Sequence, residues 1–208
     1  MKITNIGRLA CIVTVFGVLQ FLLLTFLAAF FYPGGYDYFG YYFSDLGAVV
    51  ARNGEPNSIS AVLFSVALTI VALALIPFWL ILRSILTESR VGRVLSTLGS
   101  ISGLTSSPFI IGVALFPIDT QLDPHILATL IFFSLFVLST IFYSMAIMLN
   151  RNHSNYFGLV GIVLFAVSLA IFVDPLAPHV AFLPTIVTYG YFVWVLLQTY
   201  LVWRWKEL

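Results

Sequence analysis

The sequence predicts an all-α polytopic membrane protein: six transmembrane helices in an antiparallel bundle, both termini cytoplasmic, with residues 1–208 forming a single membrane domain. Three observations carry that reading. The 208-residue chain is 61% hydrophobic and only 8% charged, where a soluble domain carries about 25% charged residues. Its apolar residues fall in six continuous runs. Once six crossings are drawn, eight of its nine Lys and Arg residues fall on one side. So few charges cannot cover a water-facing surface without large exposed apolar patches. The composition therefore excludes a soluble domain, a disordered chain, a nucleic-acid binder and a disulfide scaffold. The single cysteine, Cys11, lies inside an apolar run and reads as a small buried hydrophobe.

A bilayer core about 30 Å thick takes roughly 20 apolar residues at 1.5 Å each. The runs that meet this test, or nearly so, are 9–32, 58–82, 94–116, 126–149, 156–173 and 180–203. They are continuous rather than alternating, and backbone in lipid must satisfy its own hydrogen bonds, so they are expected to be helices. The first run follows Lys2 and Arg8 as a secretory signal would. It continues well past the roughly 7–15 apolar residues of such a signal, so it reads as a retained span. The connection 33–57 is long and rich in Gly, Tyr and Phe, and the others are short, which makes sequential helices antiparallel neighbours.

Lys2, Arg8, Arg83, Arg90, Arg93, Arg151, Arg204 and Lys206 all lie on one face of such a bundle, and Arg52 is alone on the other. The positive-inside rule makes the first face cytoplasmic. Acids run the other way: Asp37, Asp45, Glu55, Asp119, Asp123 and Asp174 are outer, as are His125 and His179. No ionisable residue lies deep in a predicted span, which argues against an ion-coupled carrier. Trp79, Trp194, Trp203 and Trp205 read as interface anchors, all but Trp194 toward inner helix ends. The third run is rich in Ser and carries Gly99 and Gly103, a small-xxx-small pair that lets helices approach closely, followed by Pro108. It is expected at the bundle centre.

Chemistry, if present, is expected at the outer rim. Tyr32, Tyr36, Tyr38, Tyr41 and Tyr42 make the first loop either an interfacial segment or an aromatic lid over an outward pocket. Ser44-Asp45 and Asn57-Ser58 fit helix N-caps, or Asp45 points inward as an acid or ligand. Asp123-Pro124 fits an N-cap and first helical position, which puts His125 in the first turn of the fourth helix. The helix dipole favours neutral imidazole there, suited to accepting a proton or binding a metal. Its plainer reading is an interfacial histidine satisfied by Asp119 or water. The next outer corner echoes the arrangement with Asp174 and His179. If these corners converge, Asp45, Asp119, His125, Asp174 and His179 are candidate ligands for a divalent metal such as zinc, iron or manganese. Asp45, Asp119 and His125 are then the catalytic candidates, and Ser44, Asp45, Asn57, Asp119 and His125 the ligand-binding ones.

The pattern Phe43-Ser44-Asp45-Leu46-Gly47, Asn57-Ser58, then Gly112, Phe116-Pro117, Asp119 and His125, resembles the six-helix membrane family called domain of unknown function 998. That family occurs in archaea and bacteria and is distantly similar to the DRAM-like proteins. The resemblance covers nearly the whole chain through short motifs, and implies a multi-pass prokaryotic plasma-membrane protein with no established reaction. Three functions compete: an outward Asp/His-lined polar pocket holding a lipid head group or small ligand; a metal-dependent lipid hydrolase or transferase at the outer leaflet; and an accessory subunit of a membrane complex. Membrane lipids are the expected partners, nucleic acid is not, and a homo-oligomer or larger complex fits the long apolar faces of the first and last helices.

Overall fold

The computed structural model describes residues 5–150, 154–173 and 182–204, with backbone alone at 171–173. Among them are six helices: α1 (Asn5–Phe30), α2 (Ser58–Ser84), α3 (Arg90–Leu115), α4 (Leu122–Met148), α5 (Asn155–Val173) and α6 (Phe182–Arg204). A short 3₁₀ helix, Phe43–Gly47, interrupts the first loop. All except α5 are long and apolar enough to cross a membrane. The 19 residues of α5 reach about 28 Å.

The helices form a ring. Each packs on its neighbour in sequence, α1 closes against α6, and α2 reaches across to α6. Polarity along α1 shows why lipid suits this arrangement. Its outward stripe is Leu9, Ile12, Phe16, Leu19, Leu23, Phe26 and Phe30, all exposed. Its inward stripe includes Thr14, Gly17, Gln20 and Thr25, all buried. A helix that shows its large apolar side chains outward and its small and polar ones inward is stable only where the solvent is apolar. Gln20 donates to the Ala67 carbonyl of α2 at 3.0 Å, and Gln198 of α6 donates to Phe157 of α5 at 3.0 Å.

Several observed positions differ from the expected ones. Hydrogen-bonded helix extends beyond the apolar runs, so α1, α3 and α4 each start about one turn earlier. Ser89 caps α3, accepting from the Gly92 amide at 2.9 Å. For α4 the N-cap position falls on Gln121, not Asp123. Asp123 and Pro124 lie inside the first turn, where an acid suits the dipole and a missing N–H leaves no bond unmade. Asn57 does occupy the N-cap position of α2, but its side chain bonds elsewhere.

Nor is α3 central. It packs between α2 and α4 and exposes Val91, Val94, Leu98 and Ile101, whereas α2 touches α1, α3, α6 and the 3₁₀ helix. The small residues of α3 serve two close approaches: Gly103 lies against the Trp79 indole of α2, and Gly99 against the Tyr143 ring of α4. Hydroxyls then tie the three helices together. Ser100 Oγ is 2.7 Å from Tyr143 Oη, both donate to the Trp79 carbonyl, and Ser139 donates to the Gly99 carbonyl. Trp79 and Trp194 are fully buried, so neither anchors an interface. Glycine on the facing helix makes room for the Trp79 indole inside. Trp203 is exposed and lies under the Arg8 guanidinium, 5.9 Å from its ring centroid.

Candidate functional site

The first loop is an ordered lid on one end of the ring, and carboxylates at that end build it. After α1 the chain turns at Gly34 and Gly35, whose φ angles of 77° and 88° are costly for other residues. Tyr36 Oη then donates to the Tyr42 carbonyl at 3.0 Å, with Tyr32, Tyr38 and Tyr41 packed around its ring. Burial, and next the nearby Asp45 charge, push the Tyr36 hydroxyl well above its ordinary pKa, so it stays a neutral donor. Phe43 points down between Phe21 of α1, Phe64 of α2 and Tyr189 of α6. That contact keys the lid into the bundle.

Asp45 is buried, and its carboxylate is fully engaged. It accepts the Tyr42 amide at 2.9 Å and a forked pair of bonds from Arg52, the closest at 2.9 Å. Arg52 also lies over the Tyr41 ring at 5.6 Å. The hydrogen bonds to Asp45 raise the pKa of Arg52 above its usual value, so the guanidinium stays charged throughout the physiological range. The lone outer arginine of the sequence is thus the partner of a lid aspartate. Asn57 uses its amide to collect the lid backbone, donating to the carbonyls of Ala48 at 2.9 Å and Leu46 at 3.2 Å. Ser60 donates to Leu46 as well, at 2.9 Å. Gly47 lies directly on the Phe64 ring.

Asp119 comes from the corner between α3 and α4. Its two oxygens accept the successive amides of Val49 and Val50 at 3.0 and 2.9 Å. The acid latches one outer corner to the other.

Beneath the lid lies a cavity of about 200 Å³ between the 3₁₀ helix and α2, α3, α4 and α6. Its walls are mostly aromatic and aliphatic, including Phe64, Leu68, Ile110, Phe132 and Phe192. Among the described residues no Asp, Glu, Lys or Arg lines it and His125 is the one histidine there, while Tyr42, Ser44, Thr129 and Thr188 supply hydroxyls. His125 is 4% exposed, and its Nδ1 lies 2.7 Å from the Phe116 carbonyl. A carbonyl oxygen only accepts, so Nδ1 carries the hydrogen. Asp119 is therefore not the partner of this histidine. The α3 C-cap takes that role.

Of the sequence candidates, the structure brings Ser44 and His125 to the cavity. It places Asp45, Asn57 and Asp119 in the lid and its latch. Among the described residues no three His, Cys, Asp or Glu side chains gather as metal ligands would. Asp174 and His179 lie outside the described residues. Sequence reasoning passed over Thr129, Phe132 and Phe133, which follow His125 at helical spacing on one face of α4; that spacing was the available signal. A second groove, about 500 Å³, lies between α1 and α6 and is lined by Cys11, Phe16, Leu196 and Trp203 among others. Compared with protein-family models, with curated proteins and with solved structures, the chain finds no match.

Proposed function

We propose that the protein is a six-span integral membrane protein of the plasma membrane, both termini cytoplasmic, which holds a small and largely apolar ligand beneath its outer lid. The orientation is supported by Arg8, Arg83, Arg90, Arg93 and Arg204, which lie at the helix ends and connection that share one side of the bundle. Length supports α5 as the sixth span, since about 28 Å nearly matches the hydrocarbon core. The short motifs shared with the domain of unknown function 998 support membership of that family.

The observation that carries the ligand reading is the cavity itself. It is walled by apolar side chains, holds one histidine among the described residues, and is covered by a loop whose buried Asp45 is paired with Arg52 within the loop. Pockets of this make-up bind through apolar contact and use a few polar groups to orient. A polar Asp/His-lined pocket for a head group is thereby narrowed to an apolar one. The carboxylates a hydrolase would need are committed to Arg52 and to backbone amides.

Mass spectrometry of the intact protein in detergent tests this. The wild-type chain is expected to carry a small molecule. Val113→Trp, which puts a large ring into the cavity, is expected to lose it, whereas Val62→Trp on the lipid-facing side of α2 is expected to keep it. Retention by Val113→Trp, or no bound molecule in the wild type, overturns the reading.

A further inference from the structure

Resting on the reading of this cavity as a ligand site, we infer that its occupant is a neutral alcohol with an alkyl body, whose hydroxyl sits between His125 Nε2 and Thr129 Oγ1. Two hydrogen-bonding atoms on the α4 wall of the cavity are unmatched. Because Nδ1 donates to Phe116, Nε2 is the ring nitrogen left to offer a lone pair, and it has no hydrogen-bond partner among the described residues. Thr129 Oγ1 is buried and has no partner either, although a threonine in a helix commonly bonds the carbonyl four residues back. Both side chains line the same cavity, and four residues apart on α4 they are neighbours on one face.

One of these atoms accepts and the other can donate, and a hydroxyl does both. An alcohol gives its hydrogen to Nε2 and takes the hydrogen of Thr129. An ether can take but not give. A carboxylate sets its lone pairs against that of Nε2 and brings a charge into a cavity that, among the described residues, no charged side chain lines. Thr188 does not compete for the hydroxyl as a donor, since its own hydrogen goes to the Pro184 carbonyl at 2.7 Å. The remaining walls, Phe64, Leu68, Ile110, Val113 and Phe132, fit an alkyl body.

The test compares decanol, decyl methyl ether and decanoate, titrated into the whole protein in detergent, with affinities expressed per mole of detergent so that partitioning cancels. Wild-type protein is expected to bind decanol about tenfold more tightly than the ether, the range of one hydrogen bond formed to a buried group. His125→Phe is expected to erase that preference while leaving ether binding in place, whereas Thr129→Val, which removes the hydrogen both ligands accept, is expected to weaken both about equally and keep the preference. If the histidine variant fails to fold, Thr129→Val still decides: alcohol and ether binding both unchanged by it overturns the inference. Alcohol and ether binding equally, both weakened by Val113→Trp, overturns the hydroxyl inference and leaves the cavity reading standing. Tighter binding of decanoate than decanol also overturns it. If Val113→Trp weakens none of the three, the cavity reading falls and the inference with it.

Discussion

Gly103→Leu will prevent α2 and α3 from closing, lowering stability by about 3 kcal/mol, at the upper end of what overpacking a core costs. A Cβ at this position already meets the Trp79 indole, before the rest of the leucine is added. Trp79 has nowhere to go. It is fully buried, its ring packs on Phe78, Phe136 and Tyr143, and its carbonyl holds both Ser100 and Tyr143. Relief therefore requires the helices to part, which also breaks the hydroxyl links across α2, α3 and α4. Ile101→Leu, two residues away on the exposed face of α3, is the matched control and should be nearly neutral. Thermal unfolding in detergent reads the difference. A Gly103→Leu protein that melts with the wild type would show that this approach does not hold the bundle.

Arg52→Ala will loosen the lid by removing the counter-charge of Asp45. The Asp45 side chain is 6% exposed and that of Arg52 is 49% exposed. Breaking a wholly buried pair costs roughly 3–5 kcal/mol, and an exposed pair contributes at most about 1. This half-exposed case should fall near 2 kcal/mol. Most of the loss comes from leaving a buried carboxylate with only the Tyr42 amide. The double variant Asp45→Asn with Arg52→Ala should therefore be more stable than Arg52→Ala alone, because it leaves no unpaired charge. Arg52→Lys should recover part of the loss, keeping charge without the fork. Hydrogen exchange at the amides of residues 41–54, together with the melting midpoint, measures both effects. Equal exchange in the wild type and Arg52→Ala would remove the pair from the account of the lid.

The six helices were legible because their cause is local. An apolar run of sufficient length must be helical in lipid, whatever surrounds it. Their starts were less legible, since hydrogen bonding continues into polar residues that hydropathy excludes; α4 opens at Leu122, not four residues later. Gly99 and Gly103 announced a close approach but not its partners. Trp79 was misread as an interface anchor because its depth depends on the glycine opposite, a tertiary fact. Among the described residues the rim acids do lie at one end, yet their sequence positions carry no information on what satisfies them. Arg52, isolated among the outer residues, was the available hint for Asp45. Asp119 pairs with backbone amides, which no sequence motif displays. The place of His125 in the first turn of α4 was legible, while its partner, the Phe116 carbonyl, follows from how α3 ends.

The central claim is that the outer carboxylates build a lid and that the binding space is the apolar cavity below it. Photolabelling tests this most directly. A short alkyl alcohol carrying a diazirine, equilibrated with membranes containing the protein and irradiated, should leave adducts on Phe132, Phe133, Val113 and Phe192, displaced by excess decanol and absent from Val113→Trp. Adducts confined to lipid-facing residues such as Leu9, Ile12 and Leu73, unaffected by decanol, would contradict it.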